Sequence, residues 1–190
     1  MAYQTYITEA LVCGSKTSNT SDKSFLLFTR DGGMLYATAR SVREERSKQR
    51  YALQDFSLVR ISLVRGKSGW RVGSVENEFN AFLRSGVARP ARASLLRIVK
   101  LLRQFVHGEE AHPELFDDVR AAVRALAAGT GDAANIGEIF TLRLLHKLGY
   151  IATDPLFASF LTEEAWTGHT DELPGAATRA IERALTVSHL

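Results

Sequence analysis

Up to about Glu76 the apolar residues come in short runs with strand-like spacing; beyond it they recur at helical spacing. Ile7, Leu11 and Val12 mark a first strand over Tyr6–Cys13, followed by a polar stretch, Gly14 to Ser21, of loop composition. A second strand covers Phe25–Thr29 and a third Met34–Ala39. Asp31-Gly32-Gly33 between them predicts a tight turn, because glycine takes positive φ without a Cβ clash. In a fourth strand, Phe56–Val64, the apolar Val59, Ile61 and Leu63 alternate with Arg60 and Ser62. Gly66-Lys67-Ser68-Gly69 predicts another turn, and Trp70–Glu76 a fifth strand. Five strands with a longer excursion between the third and fourth fit a small Greek-key barrel. The OB-fold is the common five-stranded case, and an SH3-like barrel has a similar strand count.

The helical part opens near Pro90, and Leu95, Leu96, Ile98, Val99, Leu101, Leu102, Phe105 and Val106 make a strongly apolar helix. Arg97, Lys100, Arg103 and Gln104 share its polar face. His112-Pro113 opens a second helix that ends at Gly129 and Gly131. Asn135-x-x-Glu138 reads as a capping box for a third, stopped by Gly149. A short amphipathic piece over Leu156–Trp166 and a last helix from Pro174 to about Leu185 complete the chain. The predicted architecture is α+β: an OB-type barrel domain over residues 1–80, then an all-α bundle over residues 81–190. No low-complexity linker separates them, so the two parts are expected to pack together.

Charge sharpens this picture. The net charge of the 190 residues is only +3, but it is unevenly placed. Arg40 to Arg71 holds nine basic and three acidic residues, and Phe79 to Gly108 holds six basic and no acidic residue. Such windows attract phosphate backbones, although a basic run can also be a solvated face. The densest cluster is Arg40, Arg43, Arg46, Lys48 and Arg50, on the excursion between the third and fourth strands. Arginine forks match phosphate oxygens, and Ser41 and Ser47 add neutral hydrogen bonds. Arg65, Lys67 and Arg71 extend the basic set around the Gly66–Gly69 turn. Trp70 could stack a base, but barrel-core packing is the commoner fate of such a tryptophan. Tyr51 follows Arg50 on the excursion.

Other chemistries find little support. Cys13 stands alone, so neither an intrachain disulfide nor a cysteine zinc site is available, and it reads as a small core residue. The acidic residues Glu109, Glu110, Glu114, Asp117 and Asp118 fit the favourable end of a helix dipole better than a nuclease metal site. Gly66-Lys67-Ser68 lacks the upstream glycine of an ATP-binding loop, since Ile61 stands at that spacing. No enzymatic activity and no cofactor are therefore expected. No run approaches the length of a membrane helix, and Met1–Thr8 lacks the pattern of a signal peptide, so a cytoplasmic protein is expected.

The run Glu9–Val12, then Leu27 to Arg40 with its Asp31-Gly32-Gly33 turn, resembles the N-terminal barrel of the RecO family. Arg46-Ser47-Lys48, Leu53-Gln54-Asp55-Phe56 and Leu63 to Lys67 continue the resemblance. Leu115-Phe116 and Phe140 to Leu145 with Leu148-Gly149-Tyr150 resemble its helical domain, so that about residues 5–152 are covered. The resemblance implies an OB-fold, DNA binding and strand annealing. It also implies action with RecR, sometimes with RecF, and with single-strand-binding protein to load the RecA recombinase. Arg40, Arg43, Arg46, Lys48 and Arg50 inherit the DNA-contact role from it. The sequence departs from the family in three places. It lacks the four-cysteine zinc module that many members carry after the Leu-Gly-Tyr motif, which marks it as a short, zinc-free form. Asp55 stands where proline is common, and Asn19-Thr20-Ser21 replaces a glycine-glutamate pair. A rival reading makes the helical half an adaptor for the tail of single-strand-binding protein, with Arg92, Arg97, Lys100 and Arg103 as contacts and DNA binding incidental.

Overall fold

The computed structural model describes residues 5–44, 46–84, 89–162 and 172–187. Five strands, β1 (Thr5–Thr17), β2 (Lys23–Thr29), β3 (Gly33–Ala39), β4 (Ser57–Gly66) and β5 (Gly69–Asn80), close into a barrel in the order β1-β2-β3-β5-β4. All pairings are antiparallel except β3 with β5, where Ala37 meets Trp70 and Thr38 meets Arg71 in parallel register. β1 serves both β2 and β4, which removes the exposed edges of an open sheet. This is the strand order of an OB-fold.

The barrel interior follows from the alternation. Ala10, Val12, Phe25, Leu27, Leu35, Ala37, Ala39, Val59, Ile61 and Leu63 point inward, with Trp70, Val72 and Val75 packed against them. β1 runs four residues past its predicted end at Cys13. Its register shifts between Val12 and Gly14, and Gly14 takes φ +154°, a conformation side-chain-bearing residues rarely adopt. Beyond this bulge Ser15, Lys16 and Thr17 pair with Phe25, Ser24 and Lys23 through their backbones, so a polar composition does not end the strand. Cys13 is buried, and burial pushes its thiol up to about 12, so it stays protonated as a core residue.

Helix α1 (Gln49–Ala52) lies between β3 and β4; α2 (Ala81–Arg84), α3 (Arg89–Phe105), α4 (Pro113–Ala128), α5 (Ala133–Lys147) and α6 (Gly175–Val187) follow β5, with a 3-10 turn at Ala158–Leu161. The predicted amphipathic piece reaches to Trp166, and its last four residues lie outside those described. The chain divides into two compact units: Met1–Arg84 with Leu102–Phe116, and Ser85–Leu101 with Asp117–Leu190. In the first unit the connecting segment lies on the barrel. The Met34 amide donates to the Gly108 carbonyl (2.9 Å), and the Phe28 and Phe116 rings sit 5.7 Å apart. Gly33 is needed twice over: its φ is +64°, and a Cβ there would collide with the backbone of Gly108 and Glu110.

The second unit is helical. Leu95, Ile98, Val123, Leu126, Ile139, Phe140 and Leu144 are buried, and Ser94 Oγ donates to the Ala133 carbonyl (2.7 Å). Two expectations are corrected here. The N-cap of α5 is Asp132, whose carboxylate accepts from the Ala134 amide (3.0 Å); Asn135 is buried inside the helix. A carboxylate three residues earlier starts the helix before the predicted box can act. Asp117 and Asp118 do not serve the dipole of α4. Asp118 is buried and pairs with Arg143 (2.9 Å) and Lys147 (3.5 Å), while Asp117 pairs with Arg120 (2.9 Å). A buried carboxylate must be matched by charge, and Arg143 supplies it.

Candidate nucleic-acid interface

The excursion between β3 and β4 is a fastened loop. Val42, Ala52 and Leu53 are buried, with Val42 and Leu53 part of the barrel core. Ser41 sits in the left-handed region at φ +51°, and its amide donates to Asp22 Oδ1 (2.8 Å). The Arg43 amide donates to the Ser21 carbonyl (3.1 Å), and Arg43 Nη1 to the Asn19 carbonyl (3.2 Å). Farther along, Gln49 Nε2 on α1 donates to the Gly73 carbonyl (2.9 Å).

The β1–β2 turn is itself built for this. Asn19 Oδ1 accepts from the amides of Ser21 and Asp22, and Asn19 Nδ2 donates to the Asp22 carboxylate. The Ser41 amide, with Asn19 next, holds the Asp22 carboxyl below its usual range. A negative latch thus fixes the start of the basic loop.

Apolar anchors turned inward leave the cations outside. Arg40, Arg43, Arg46, Lys48 and Arg50 are all exposed, as is Tyr51. None of the five cations makes an ion pair among the described residues. Exposed guanidinium and ammonium groups on a rigid base are what phosphate contacts need.

The β4–β5 hairpin differs. Arg65 Nη1 donates to both carboxylate oxygens of Glu109 (2.7 and 2.9 Å), and its guanidinium lies 4.8 Å from the Trp70 ring centroid. Trp70 is half-buried, packs against the core, and meets Tyr6 edge-on at 5.3 Å. Arg65 thus covers one face of the ring, which is partly buried against the barrel core. Lys67 is exposed at the hairpin tip. Arg71, half-buried, lies between the inward Trp70 and Val72 and so projects outward.

The helical cations divide. Arg92 and Arg97 are half-buried and Lys100 is exposed, all in the second unit. Arg103 belongs to the first unit, where its guanidinium lies 3.9 Å from where a Cβ on Gly14 would stand. Two residues the sequence reading passed over join it on the outer barrel face: Lys16 and Tyr36, with Lys16 Nζ 4.4 Å from the Tyr36 ring centroid. The period-two pattern of β3 carried the signal, since an inward Leu35, Ala37 and Ala39 turn Tyr36 out.

Residues 1–76 match the family model described as Recombination protein O N terminal, and residues 91–153 the one described as Recombination protein O C terminal. Proteins named DNA repair protein RecO are among the relatives. That of Syntrophobacter fumaroxidans is 28% identical over 145 residues, 76% of this chain and 57% of the relative. That of Pelotomaculum thermopropionicum is 30% identical over 146 residues, 76% of this chain and 56% of the relative. That of Desulfitobacterium hafniense is 31% identical over 150 residues, 76% of this chain and 52% of the relative. The chain thus spans about half the length of the curated relatives it matches. A closed five-stranded barrel where the N-terminal model matches, helices where the C-terminal one does, and both models in that order along one chain make it a member of the recombination protein O (RecO) family.

Proposed function

We propose that this chain is a non-enzymatic, DNA-binding mediator of recombinational DNA repair. It anneals complementary single strands and, with RecR, assists RecA loading onto DNA coated by single-strand-binding protein. In this reading residues 1–80 bind single- and double-stranded DNA, residues 81–190 form the helical domain, and the protein works in the cytoplasm. The observation that carries it is the fastened loop with five exposed cations, none of them in an ion pair among the described residues. Lys67 and Arg71 on the neighbouring hairpin add to the charge, while Glu109 offsets that of Arg65.

The physics of annealing is electrostatic. Two strands repel through their phosphates until cations neutralise part of that charge. Arginines and lysines that displace condensed counterions do this and gain entropy from the ions released. The loop contacts carry no base readout, so they suit a protein that must accept any sequence. No bond is made or broken, and no residue here is assigned a catalytic role.

The adaptor reading, with the tail of single-strand-binding protein on the helical half, keeps Arg92, Arg97 and Lys100 in one unit. The deciding experiment is an annealing assay with complementary strands, bare and coated with single-strand-binding protein. The DNA-mediator reading expects faster annealing of bare strands, weakened by added salt. Binding to the tail without any acceleration on bare DNA would favour the adaptor.

A further inference from the structure

We infer that β1 keeps a free edge over Thr5–Glu9, on which a partner protein docks by adding an extended segment that alternates apolar and basic side chains. This goes beyond the DNA-binding reading, because the surface is acidic and its ligand cationic. The β3–β4 excursion sends Val42 and Leu53 into the core at one end of the barrel. The other end, where Tyr6 pairs with Leu63, opens as a cleft of about 490 Å3. There β1 pairs with β4 from Thr5 onward, but with β2 only from Ala10. The Arg30 amide donates to the Glu9 carbonyl (3.0 Å), so the backbone of Glu9 faces away from β4. By the two-residue alternation, so do those of Ile7 and Thr5. No described strand meets Ile7 and Thr5 on that side. A row of open amides and carbonyls is a template for another strand.

Each face of this edge has its own cleft, and both belong to the barrel unit. Tyr6 and Thr8 lie on the side of β1 that carries Ala10 and Val12 into the core, whereas Ile7 and Glu9 lie on the outer side. The inner cleft is walled by Leu35, Leu63 and Trp70. The outer one, of about 550 Å3, sets Glu9, Glu76 and Glu78 around Arg60. Of the residues lining the two clefts five are acidic, and two, Arg30 and Arg60, are basic. Adding Arg65, which clamps Glu109, still leaves the edge acidic in a chain whose net charge is +3. Ile7 is 64% exposed, an apolar side chain on the outer face with nothing laid over it.

Successive side chains of an added strand point to opposite faces. Its apolar residues therefore enter the barrel mouth, against Leu35, Leu63 and Trp70, while its basic residues lie over the outer carboxylates. A phosphate backbone would be repelled here, so DNA is not the occupant.

The test titrates the whole chain with short labelled peptides. The first alternates lysine and valine. Two more are the same peptide N-methylated on its lysine amides or on its valine amides. A fourth has all lysines before all valines, and a fifth alternates glutamate and valine. The first should bind and shift the Trp70 indole N–H resonance. The lysine and valine amides of a strand point to opposite edges, so one methylated peptide should bind like the parent and the other should fail. The fourth and fifth should bind far more weakly. Ile7→Pro removes an amide that faces the free edge and leaves the β4 ladder intact. It should weaken the first peptide roughly 2- to 10-fold and leave binding of a thymidine oligonucleotide unchanged. Glu76→Gln with Glu78→Gln should weaken the peptide as well. Circular dichroism verifies each fold; if Ile7→Pro misfolds, the methylated pair tests the same hydrogen bonds from the ligand's side. No binding of the first peptide overturns the inference, as do equal affinities of the two methylated peptides, equal affinity of the fourth, or an unmoved Trp70 resonance. A dimer in sedimentation that the first peptide does not split would overturn it too, by giving the edge to a second copy of the chain.

Discussion

The β3–β4 loop and the β4–β5 hairpin carry similar residues and use them differently. Both are basic and both project from the same barrel. In the loop, Val42 and Leu53 are buried and the arginines face water. In the hairpin, Arg65 is clamped by both oxygens of Glu109 and laid over Trp70. A cation paired with a carboxylate brings less net charge to a phosphate than one that faces water. The difference teaches that a count of basic residues overstates a nucleic-acid surface, and that what each cation already touches decides its use.

The contrast can be broken or sharpened by substitution. Leu53→Ala removes a buried anchor and should destabilise the barrel by about 2–5 kcal/mol, since the cavity adds to the lost transfer energy. Urea unfolding followed by tryptophan fluorescence would measure it, and an unchanged midpoint would mean that the loop is not fastened as described. Replacing Arg43, Arg46 and Lys48 together with Ala should lower DNA affinity roughly 10- to 100-fold at moderate salt. Arg65→Ala should cost much less. If Arg65→Ala matched the triple variant, the hairpin and not the loop would be the main contact.

Smaller effects probe the clamp and the latch. Glu109→Gln frees the Arg65 guanidinium from a charged partner and should raise DNA affinity a few-fold, with a salt slope steeper by about 0.7 for one added phosphate contact. A loss of affinity would contradict the clamp. The Asp22 latch predicts a pH dependence. Its carboxyl is held low, first by the Ser41 amide and then by Asn19. The latch is therefore at full strength above the usual carboxylate value and is lost as pH falls through the depressed one. Protection of the Ser41 and Arg43 amides from exchange, taken relative to their intrinsic rates at each pH, should persist from neutral pH down to about 4 and fall only in stronger acid. Protection already lost at pH 5 would show that Asp22 does not hold the loop.

Periodicity made the barrel readable. Val59, Ile61 and Leu63 against Arg60 and Ser62 defined β4, and Asp31-Gly32-Gly33 located a turn whose last glycine is hemmed in by Gly108 and Glu110. The start of α3 and the position of the basic loop were also legible, because both are local in sequence. The strand extension through Ser15–Thr17 was not, since backbone pairing past a bulge leaves no apolar trace. Nor were pairs far apart in the chain: Arg65 and Glu109 lie 44 residues apart, and Asp118 finds Arg143 only once two helices are packed. Tyr36 was present in the pattern, but its contact with Lys16 was not, because it depends on the strand running on past the bulge at Gly14.

The most direct measurement is the salt dependence of binding to a single-stranded oligonucleotide, for the wild type and for the variant lacking Arg43, Arg46 and Lys48. Three phosphate contacts on a single strand are worth a log–log slope of about 2. The wild-type slope should therefore be steeper than the variant's by about that amount. Two parallel lines, however steep, would show that these cations do not meet the DNA backbone.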